Sequence, residues 1–370
     1  MIPKQKRIAS PFVANLLNTW NDYMTAGKFH ESSEVRQEVE ALIRRVEDDT
    51  DLLEYFYLLD YQHCISFGTK ENSDRKKVVS MLSKGHHELM IAYYYYFYSG
   101  VYAFHKKNYI QAISFYELAE QKLILIPDFD ETKFAEFHYK LAQAYYQIDQ
   151  HLFSVSHVTK ARDIFIKHDI YKLEAVECKI LLGANMYDMR RYDESDSYYR
   201  NALTDAKAYG YDKLVAKIYH NLGLIHWQLG SLDTALLYLQ RAYSEKTFLE
   251  SEYGVRTVYM LSSVLYQQGK SDEALKWYNL GMEMAVRLDD FEYKAKLKVL
   301  FHLYENPSAE QVKESLAYLE EKNIWPDVAD LYKRIADFYE EQGDLVLSHE
   351  FLKRSLYARD QISKITEALA

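Results

Sequence analysis

Glycine and proline are scarce in this chain of 370 residues, which contains 12 glycines and 5 prolines. Together they make up about 5% of the chain, against roughly 12% in average usage. Sandwiches and barrels need many turn residues, and nucleotide-binding α/β folds need glycine-rich loops. No proline occurs between Pro127 and Pro307. The sequence therefore predicts an almost entirely α-helical protein.

The chain also lacks a cysteine motif, a signal peptide and a membrane span. Cys64 and Cys178 follow no spacing pattern, which is typical of reduced core thiols in a cytosolic protein. The basic residues 1–7 are not followed by the apolar run of a signal peptide. Residues 89–104 come nearest to a span, but they are too few and too rich in tyrosine. We expect a cytoplasmic protein with no membrane partner.

Positive charge is in the minority, with 45 basic against 55 acidic residues and a net charge of −10. This balance argues against nucleic acid or an anionic membrane as the main partner. Aromatic residues are abundant at 15%, with 35 tyrosines and 17 phenylalanines, and they supply ample core area. Intrinsic disorder is therefore excluded.

Motifs of known chemistry are missing as well. No P-loop, dinucleotide fingerprint or nucleophile elbow occurs. His86-His87-Glu88 lacks the second histidine four residues later, and His220 and His226 are six residues apart, which is unsuitable for chelation from one helix. We expect no cofactor and no metal. These absences favour an interaction protein over an enzyme.

An internal repeat of about 40 residues is present. In each copy a small residue stands seven positions before a second one: Ala112/Ala119, Ser154/Ala161, Ser195/Ala202, Ala235/Ala242, Ala274/Gly281 and Ser348/Ser355. The anchors are 42, 41, 40, 39 and finally 74 residues apart, and the last interval fits two units with a degenerate copy at 312–319. Seven helix-turn-helix units follow from this spacing.

The turns agree with that period. Gly230, Gly269 and Gly343 each precede a second helix, where a left-handed residue commonly ends the first one. The first helices repeat an aromatic, a leucine, a small residue and another aromatic, which is the tetratricopeptide pattern with lengthened units. We therefore predict an all-α fold in which residues 89–370 form a right-handed tetratricopeptide superhelix of about seven repeats.

A different segment precedes the array. Residues 1–68 contain three apolar stripes of helical period, which predict a small three-helix bundle. Residues 69–88 are polar and charged, and they are expected to connect the bundle to the repeats.

The first helices of a tetratricopeptide stack line its concave groove, where a peptide can bind. With Gly223 and Ala184 at the small-residue position, Asn221 lies two residues before it and Asp188 four after, both facing the groove. An asparagine amide can pair with any peptide backbone, and an aspartate can select a basic residue. The alternatives are a solvated Asn221 and a local ion pair between Asp188 and the next arginines.

Other residues receive weaker assignments. Further groove candidates are Gln143, Asn185, Lys217, Trp227, Ser263 and Lys298. Residues expected to pack the seams between helices are Tyr145, Tyr219, Leu222 and Leu261.

At this point the sequence resembles the Rap family of Bacillus regulatory proteins along essentially its whole length. The resemblance is carried by residues 17–20 (LNTW), 49–63 (DTDLLEYFYLLDYQH), 94–97 (YYYF), 133–137 (KFAEF) and 221–223 (NLG). Each motif is weak alone, but in this order and at these separations they are specific. The resemblance implies a three-helix bundle followed by seven tetratricopeptide repeats.

The resemblance also implies a function. Family members bind response regulators or transcription factors through the bundle and adjoining repeats, and a short re-imported peptide in the groove switches them off. Asn221 matches the groove asparagine of the family, and Asp188 matches its groove aspartate, which meets a basic peptide residue. In the bundle, Asp49, Thr50, Phe56 and Leu59 are the corresponding partner-binding candidates.

One position departs from the phosphatase members of the family. They use a glutamine from the bundle to orient water towards an aspartyl phosphate, whereas the matching residue here is Thr50. Threonine lacks the amide, and it is equally typical of a helix cap. We therefore expect a regulator that inhibits its partner by occupying it. The alternatives are an aspartyl-phosphate phosphatase and a constitutive tetratricopeptide scaffold.

Overall fold

The computed structural model describes residues 10–25, 28–43, 50–67, 88–127, 129–245 and 252–369. These parts of the chain fold into α-helices joined by short turns, with one 3-10 turn at Asp169–Tyr171 and no β-strand among them. By its internal contacts the chain divides into two units, Met1–Ile164 and Phe165–Ala370. The predicted all-α fold is confirmed.

The first three helices form the predicted bundle: α1 (Ser10–Thr25), α2 (Phe29–Ile43) and α3 (Thr50–Phe67). Their apolar stripes meet in one core that includes Val13, Leu17, Trp20, Val39 and Leu59. Residues 68–87 lie outside the described part of the chain. The boundaries predicted at 68 and 88 therefore stay predictions.

A buried polar cluster joins the three helices of the bundle. Trp20 Nε1 donates a hydrogen bond to His63 Nδ1 at 3.2 Å, and Ser32 Oγ lies 3.0 Å from the same nitrogen. An indole can only donate, so Nδ1 of His63 carries no proton. Burial, and then the charge of Arg36, lower the pKa of His63 to about 4. His63 is therefore neutral at physiological pH.

Two helical hairpins complete the first unit. They are formed by α4 (Glu88–His105) with α5 (Tyr109–Leu123) and by α6 (Glu131–Gln147) with α7 (His151–Phe165). The bundle packs directly on the first hairpin, because the Tyr61 hydroxyl lies 3.0 Å from Ser99 Oγ and the Tyr61 ring stacks on Tyr95. The repeats thus begin at the surface of α3.

The second unit contains five more hairpins. They are α8 (Lys172–Asp188) with α9 (Tyr192–Ala208), α10 (Asp212–Gln228) with α11 (Leu232–Tyr243), α12 (Glu252–Gln267) with α13 (Ser271–Arg287), α14 (Phe291–Tyr304) with α15 (Ala309–Glu321), and α16 (Trp325–Glu341) with α17 (Leu345–Leu369). None of the helices in the described residues is long and apolar enough to cross a membrane.

The anchor residues predicted from the repeat lie in the second helices, where they let the paired helix approach. All are buried except the half-buried Ser348. Several seams are also bridged by a serine: Ser154 Oγ donates to the Ala142 carbonyl at 2.9 Å, and Ser195 Oγ to the Gly183 carbonyl at 2.7 Å. The seven predicted units, including the degenerate one in α15, are confirmed.

Most turns inside and between the hairpins hold one residue in the left-handed region. Gly230, Gly269 and Gly343 have φ of 73°, 73° and 79°, as predicted from their positions. At other turns a residue with a side chain takes this conformation: Lys107, Asp149, Arg190, Asp289 and Asn323, with φ between 54° and 60°. The same turn is therefore built with and without glycine.

Candidate functional site

The first helices of the five hairpins in the second unit, α8, α10, α12, α14 and α16, are here called the first-helix row. The predicted groove residues were placed on this row on the assumption that Ala184 and Gly223 are equivalent small residues. The structure corrects this register. A Cβ added to Gly183 would lie 3.0 Å from the Tyr199 ring, as one added to Gly223 would lie 2.7 Å from Leu239. Gly183, one residue earlier than predicted, therefore occupies the small-residue position of α8.

The corrected register explains why Asp188 and Asn221 face the same side. Asp188 follows its small residue by five positions, and Asn221 precedes its own by two. At about 100° per residue these offsets correspond to about 140° and 160° around the helix axis. The two side chains thus leave neighbouring helices in similar directions.

Asp188 and Asn221 both affect the ionisation of Tyr199, a residue of α9. Its ring packs over Gly183 and is 3% exposed. Burial raises the pKa of the Tyr199 hydroxyl well above its usual range, the Asp188 carboxylate raises it further, and hydrogen bonding by the Asn221 side chain opposes the rise. Asp188 is exposed and Asn221 is half-buried, and both lie in the neighbourhood of the buried Tyr199 side chain.

The arginines beside Asp188 have other carboxylates within reach. Arg191 forms two hydrogen bonds with Glu194, at 2.6 and 2.7 Å, and the guanidinium of Arg190 lies 3.8 Å from Asp330 of α16. Both arginines thus have a carboxylate partner other than Asp188. The local ion pair of Asp188 stays an alternative prediction.

A histidine fixes the next pair of helices in the row. His220 Nδ1 lies 2.8 Å from Thr257 Oγ1, which itself donates to the Tyr253 carbonyl at 2.8 Å. Because a threonine hydroxyl has a single proton, Nδ1 of His220 must be the donor. Burial, followed by Arg256 and Lys217, lowers the pKa of His220 to about 3. The imidazole is a neutral structural link between α10 and α12.

Trp227 lies at a pocket of about 600 Å³ within the second unit. Its Nε1 donates to Gln267 Oε1 at 2.9 Å, and the guanidinium of Arg334 lies over its ring, 3.4 Å from the centroid. Arg334 also donates to Gln228 Oε1 at 2.9 Å. Other residues around the pocket are Tyr266, Asp330, Lys333, Asp337 and Phe338. The pocket is amphipathic and carries both signs of charge.

A buried cation joins the last two helices of the row. Lys296 of α14 is 4% exposed, and its Nζ lies 2.6 Å from Glu292 Oε1 and 2.8 Å from Asp327 Oδ1 of α16. Burial opposes its charge, but Tyr293, Asp327 and Glu292 outweigh burial, so the pKa of Lys296 is raised. Lys296 is charged and fully engaged in positioning α16.

The weaker groove candidates are scattered. Asn185 and Ser263 are buried, and Asn185 Nδ2 donates to the Leu181 carbonyl of its own helix at 2.8 Å. Lys298 is exposed, and Lys217 lies 5.4 Å from the centre of the Tyr253 ring. Gln143 is half-buried on α6 of the first unit. Their roles in binding stay predictions. Among the seam candidates, Tyr219, Leu222 and Leu261 are buried and Tyr145 is half-buried.

The bundle candidates lie mostly in its core. Phe56 and Leu59 are only 6% and 2% exposed, because they close the bundle core over α1 and α2. Their contact with a partner stays a prediction. Asp49 lies outside the described residues. Thr50 is the first residue of α3, and its side chain is not described.

Three residues in or beside the row were missed by sequence reasoning: Tyr199 of α9, His220 as a structural link, and Arg334. Tyr199 sits four residues after the anchor Ser195 and reads as ordinary seam packing. Arg334 stands 106 residues from its hydrogen-bond partner Gln228, and no local pattern connects positions that far apart. Only the stacking of several repeats brings them together.

Two family models match the chain. The N-terminal model of response regulator aspartate phosphatase H matches residues 7–66, which contain the bundle. A tetratricopeptide-repeat model matches residues 176–244, which contain α9, α10 and α11 and most of α8. One match thus covers the three-helix bundle and the other covers part of the repeats.

Known proteins resemble the chain along nearly its full length. Regulatory protein RapC of Bacillus subtilis (strain 168) is 30% identical over 373 residues, 96% of each chain. Response regulator aspartate phosphatase I of the same strain is 29% identical over 366 residues, 97% of this chain and 93% of the relative. The solved Rap conjugation gene regulator of the plasmid pLS20, in complex with the Phr* peptide, is 56% identical, with a TM-score of 0.69 over 99% of both chains. This chain belongs to the Rap family.

Proposed function

We propose that this chain is a cytoplasmic quorum-sensing regulator that binds and inhibits a response regulator or a DNA-binding regulator. A short re-imported signalling peptide, bound along the first-helix row, releases that partner. The observation that carries the proposal is that Asp188 and Asn221 leave neighbouring helices of the first-helix row in similar directions. Neighbouring repeats thus offer an exposed carboxylate and a half-buried amide on the same side.

The two side chains suit a peptide. The amide of Asn221 offers a donor and an acceptor, so it can pair with a peptide group of any sequence. The carboxylate of Asp188 can form a charge-assisted hydrogen bond with a lysine or arginine of the peptide. The 56% identical relative was solved with a peptide of its own, Phr*.

Switching requires that the peptide bind one conformation better than the other, since a ligand with equal affinity for both shifts nothing. The peptide and the partner then weaken each other's binding by the same factor. The bundle contributes the partner surface through its exposed faces, because Phe56 and Leu59 are committed to its core.

The Asn221→Ala variant tests this proposal. The probe is the Phr* peptide of the pLS20 relative carrying a fluorophore, with a scrambled peptide as the negative control. Loss of two hydrogen bonds to a peptide group should weaken binding by about ten-fold or more. Partner capture from cells that express the tagged full-length chain should be unchanged. Asn201→Ala, at an exposed position of α9, is the matched control and should bind the peptide normally.

The result that contradicts the proposal is equally specific. If Asn221→Ala releases its partner at the same peptide concentration as the natural chain, the peptide does not bind at this site. If the natural chain binds neither Phr* nor any peptide released by its own host, a constitutive scaffold is the better account.

A second candidate function is dephosphorylation of a response regulator. It is favoured by the match of residues 7–66 to a model described as a response regulator aspartate phosphatase. Catalysis would need a side chain that orients water, and Thr50 at the start of α3 has no amide for this. Binding without catalysis is therefore the first choice.

A further inference from the structure

Three side chains in the first unit form a cluster that the proposed function does not use. Glu120 of α5, His138 of α6 and His157 of α7 each offer one ligand atom, and these atoms lie within 4.8 Å of one another. The cluster therefore joins the first hairpin to the second. Neither the repeat pattern nor the bundle requires it.

The two imidazoles are in direct contact. Their Nδ1 atoms are 2.8 Å apart, with ring centroids at 4.9 Å. Such a contact needs one nitrogen with a proton and one without, so both rings are neutral and opposite tautomers. Burial first, and then neighbouring charges including Lys160, lower the pKa of His138 to about 3 and that of His157 to about 4. Neutral imidazole is the form that ligates metals.

An unpartnered atom marks the same place. His138 is 1% exposed, and its Nε2 is buried with no hydrogen-bond partner. A buried polar atom without a partner is uncommon and costs free energy. Whichever tautomer His138 adopts, one nitrogen of its ring is left with an unmet bonding capacity. A bound ion would account for it.

The surroundings hold the rings in place. Phe134 and Phe137 contact the His138 ring at centroid distances of 4.2 and 5.2 Å, and Tyr145 stacks on His157 at 5.7 Å. This aromatic shell restricts the ring orientations, which is what second-shell groups do at metal sites. Glu120 is half-buried and brings the negative charge, while Lys160 is exposed to solvent.

We propose that Glu120, His138 and His157 bind one divalent transition-metal ion of the zinc type. Two imidazole nitrogens and one carboxylate oxygen are a common zinc donor set, with a fourth position open to water. Tetrahedral ligands at about 2.0–2.1 Å from the metal lie about 3.4 Å apart. Because the ligand atoms already lie within 4.8 Å of one another, side-chain movements of up to about 1.4 Å bring them to that spacing.

The ion acts as a clip between the first two hairpins. It binds the folded chain, where the ligands are assembled, and not the unfolded one, so it stabilises the first unit by mass action. The metal need not take part in peptide or partner binding. Its role is to fix the repeats on which the bundle rests.

The test uses the full-length protein, freed of metal by a chelator. Zn²⁺ is titrated by calorimetry, thermal unfolding is recorded with and without ZnCl₂, and Co²⁺ absorption reports the coordination geometry. We expect one ion per chain and a higher unfolding temperature with Zn²⁺. His157→Gln and Glu120→Gln should each weaken binding by about ten-fold or more, since each removes one of three ligands.

Two control variants change the same types of side chain outside the proposed site. Glu117→Gln removes the same charge one turn earlier on α5, and His151→Gln removes a histidine from the start of α7. Both should bind Zn²⁺ like the natural chain. Circular dichroism of the metal-free variants checks that they fold. If His157→Gln fails to fold, the comparison of Glu120→Gln with Glu117→Gln decides alone.

Three results would overturn the proposal. The first is no saturable Zn²⁺ binding up to about 100 µM, well above the range of built zinc sites. The second is unchanged binding in both Glu120→Gln and His157→Gln, which would place the ion elsewhere. The third is an intense near-ultraviolet band with Co²⁺, which would identify cysteine ligands that this cluster does not contain.

Discussion

The guanidinium of Arg334 stacks on the indole of Trp227, 3.4 Å from the ring centroid, although the two residues belong to the seventh and fourth repeats. The same arginine donates to Gln228 at 2.9 Å, next to Trp227 in α10. A planar guanidinium can stack and donate at once, which a lysine ammonium cannot. Within the second unit, this contact joins α16 to α10 across the intervening repeats.

Arg334→Lys should therefore weaken this contact while keeping the charge. We expect the free energy of unfolding to fall by about 1 kcal/mol, from the lost stacking and one lost hydrogen bond. Amide hydrogen exchange in α16 should become faster, because its tie to α10 is loosened. Thermal denaturation and exchange mass spectrometry measure the two effects.

Lys333→Gln is the neighbouring control. Lys333 pairs with Asp337 of its own helix at 2.7 Å, and both side chains are about half-exposed. An exposed pair of this kind contributes little, so the change should cost less than about 0.5 kcal/mol. Equal losses from both variants would mean that the contact of Arg334 with Trp227 contributes nothing beyond its charge.

Stability should fall on mild acidification because several buried histidines are neutral. Burial lowers the pKa of His63 and His157 to about 4, and that of His138 and His220 to about 3, against about 6.5 in the unfolded chain. Between pH 6.5 and about 4 the unfolded chain binds protons that the folded chain cannot. Their contribution is present above pH 6.5 and is lost as the pH falls, by about 2 kcal/mol for each histidine at pH 5.

The measurement is the unfolding temperature between pH 7.5 and pH 4.5. His220→Gln should flatten this dependence, since a glutamine can still donate to Thr257 without titrating. His349→Gln changes an exposed histidine on α17 and should leave the dependence as it is. A flat profile in the natural chain would contradict the neutral state assigned to these side chains.

The natural chain should not dephosphorylate a response regulator, because Thr50 cannot orient the attacking water. The polar atom of threonine lies nearer the backbone than a glutamine amide, and a misplacement of about 1 Å can cost about 100-fold in rate. Thr50→Gln restores the missing group. The measurement is loss of label from a phosphorylated sporulation-pathway response regulator.

The outcomes separate three accounts. Activity only in Thr50→Gln would mean that the chain binds a response regulator but has lost the catalytic side chain. Rapid loss of label with the natural chain would make it a phosphatase. If neither the natural chain nor Thr50→Gln removes the label, a DNA-binding regulator becomes the expected partner. Thr50→Ser, which also lacks the amide, is the control.

The fold could be predicted because its determinants are local. The anchor residues recur at nearly constant spacing, and Gly230, Gly269 and Gly343 stand where a helix has to end. Each repeat buries its own seam, so one repeat's pattern predicts its structure without knowledge of the others. The bundle followed from three apolar stripes of helical period for the same reason.

The site was less predictable because it depends on register and on distant repeats. A glycine followed by an alanine left two choices for the small position in α8, and only the packing of Tyr199 on Gly183 decides between them. Phe56 and Leu59 are partner-binding candidates whose small exposed fractions the sequence did not reveal, because a helical stripe does not show how far neighbouring helices cover it. The contact of Arg334 with Trp227 joins repeats whose separation no local pattern encodes.

The left-handed turns explain how the chain builds tight hairpins with few glycines. A side chain in the left-handed region costs roughly 1–2 kcal/mol in the folded state. The same side chain also lowers the conformational entropy of the unfolded chain. Compared with a glycine, this stabilises the folded state by about 0.4–1 kcal/mol. Five turn residues therefore add local strain to the folded state but reduce the disorder of the unfolded chain. They are Lys107, Asp149, Arg190, Asp289 and Asn323. The hairpin geometry is therefore the same in repeats that have a glycine at the turn and in repeats that have another residue there.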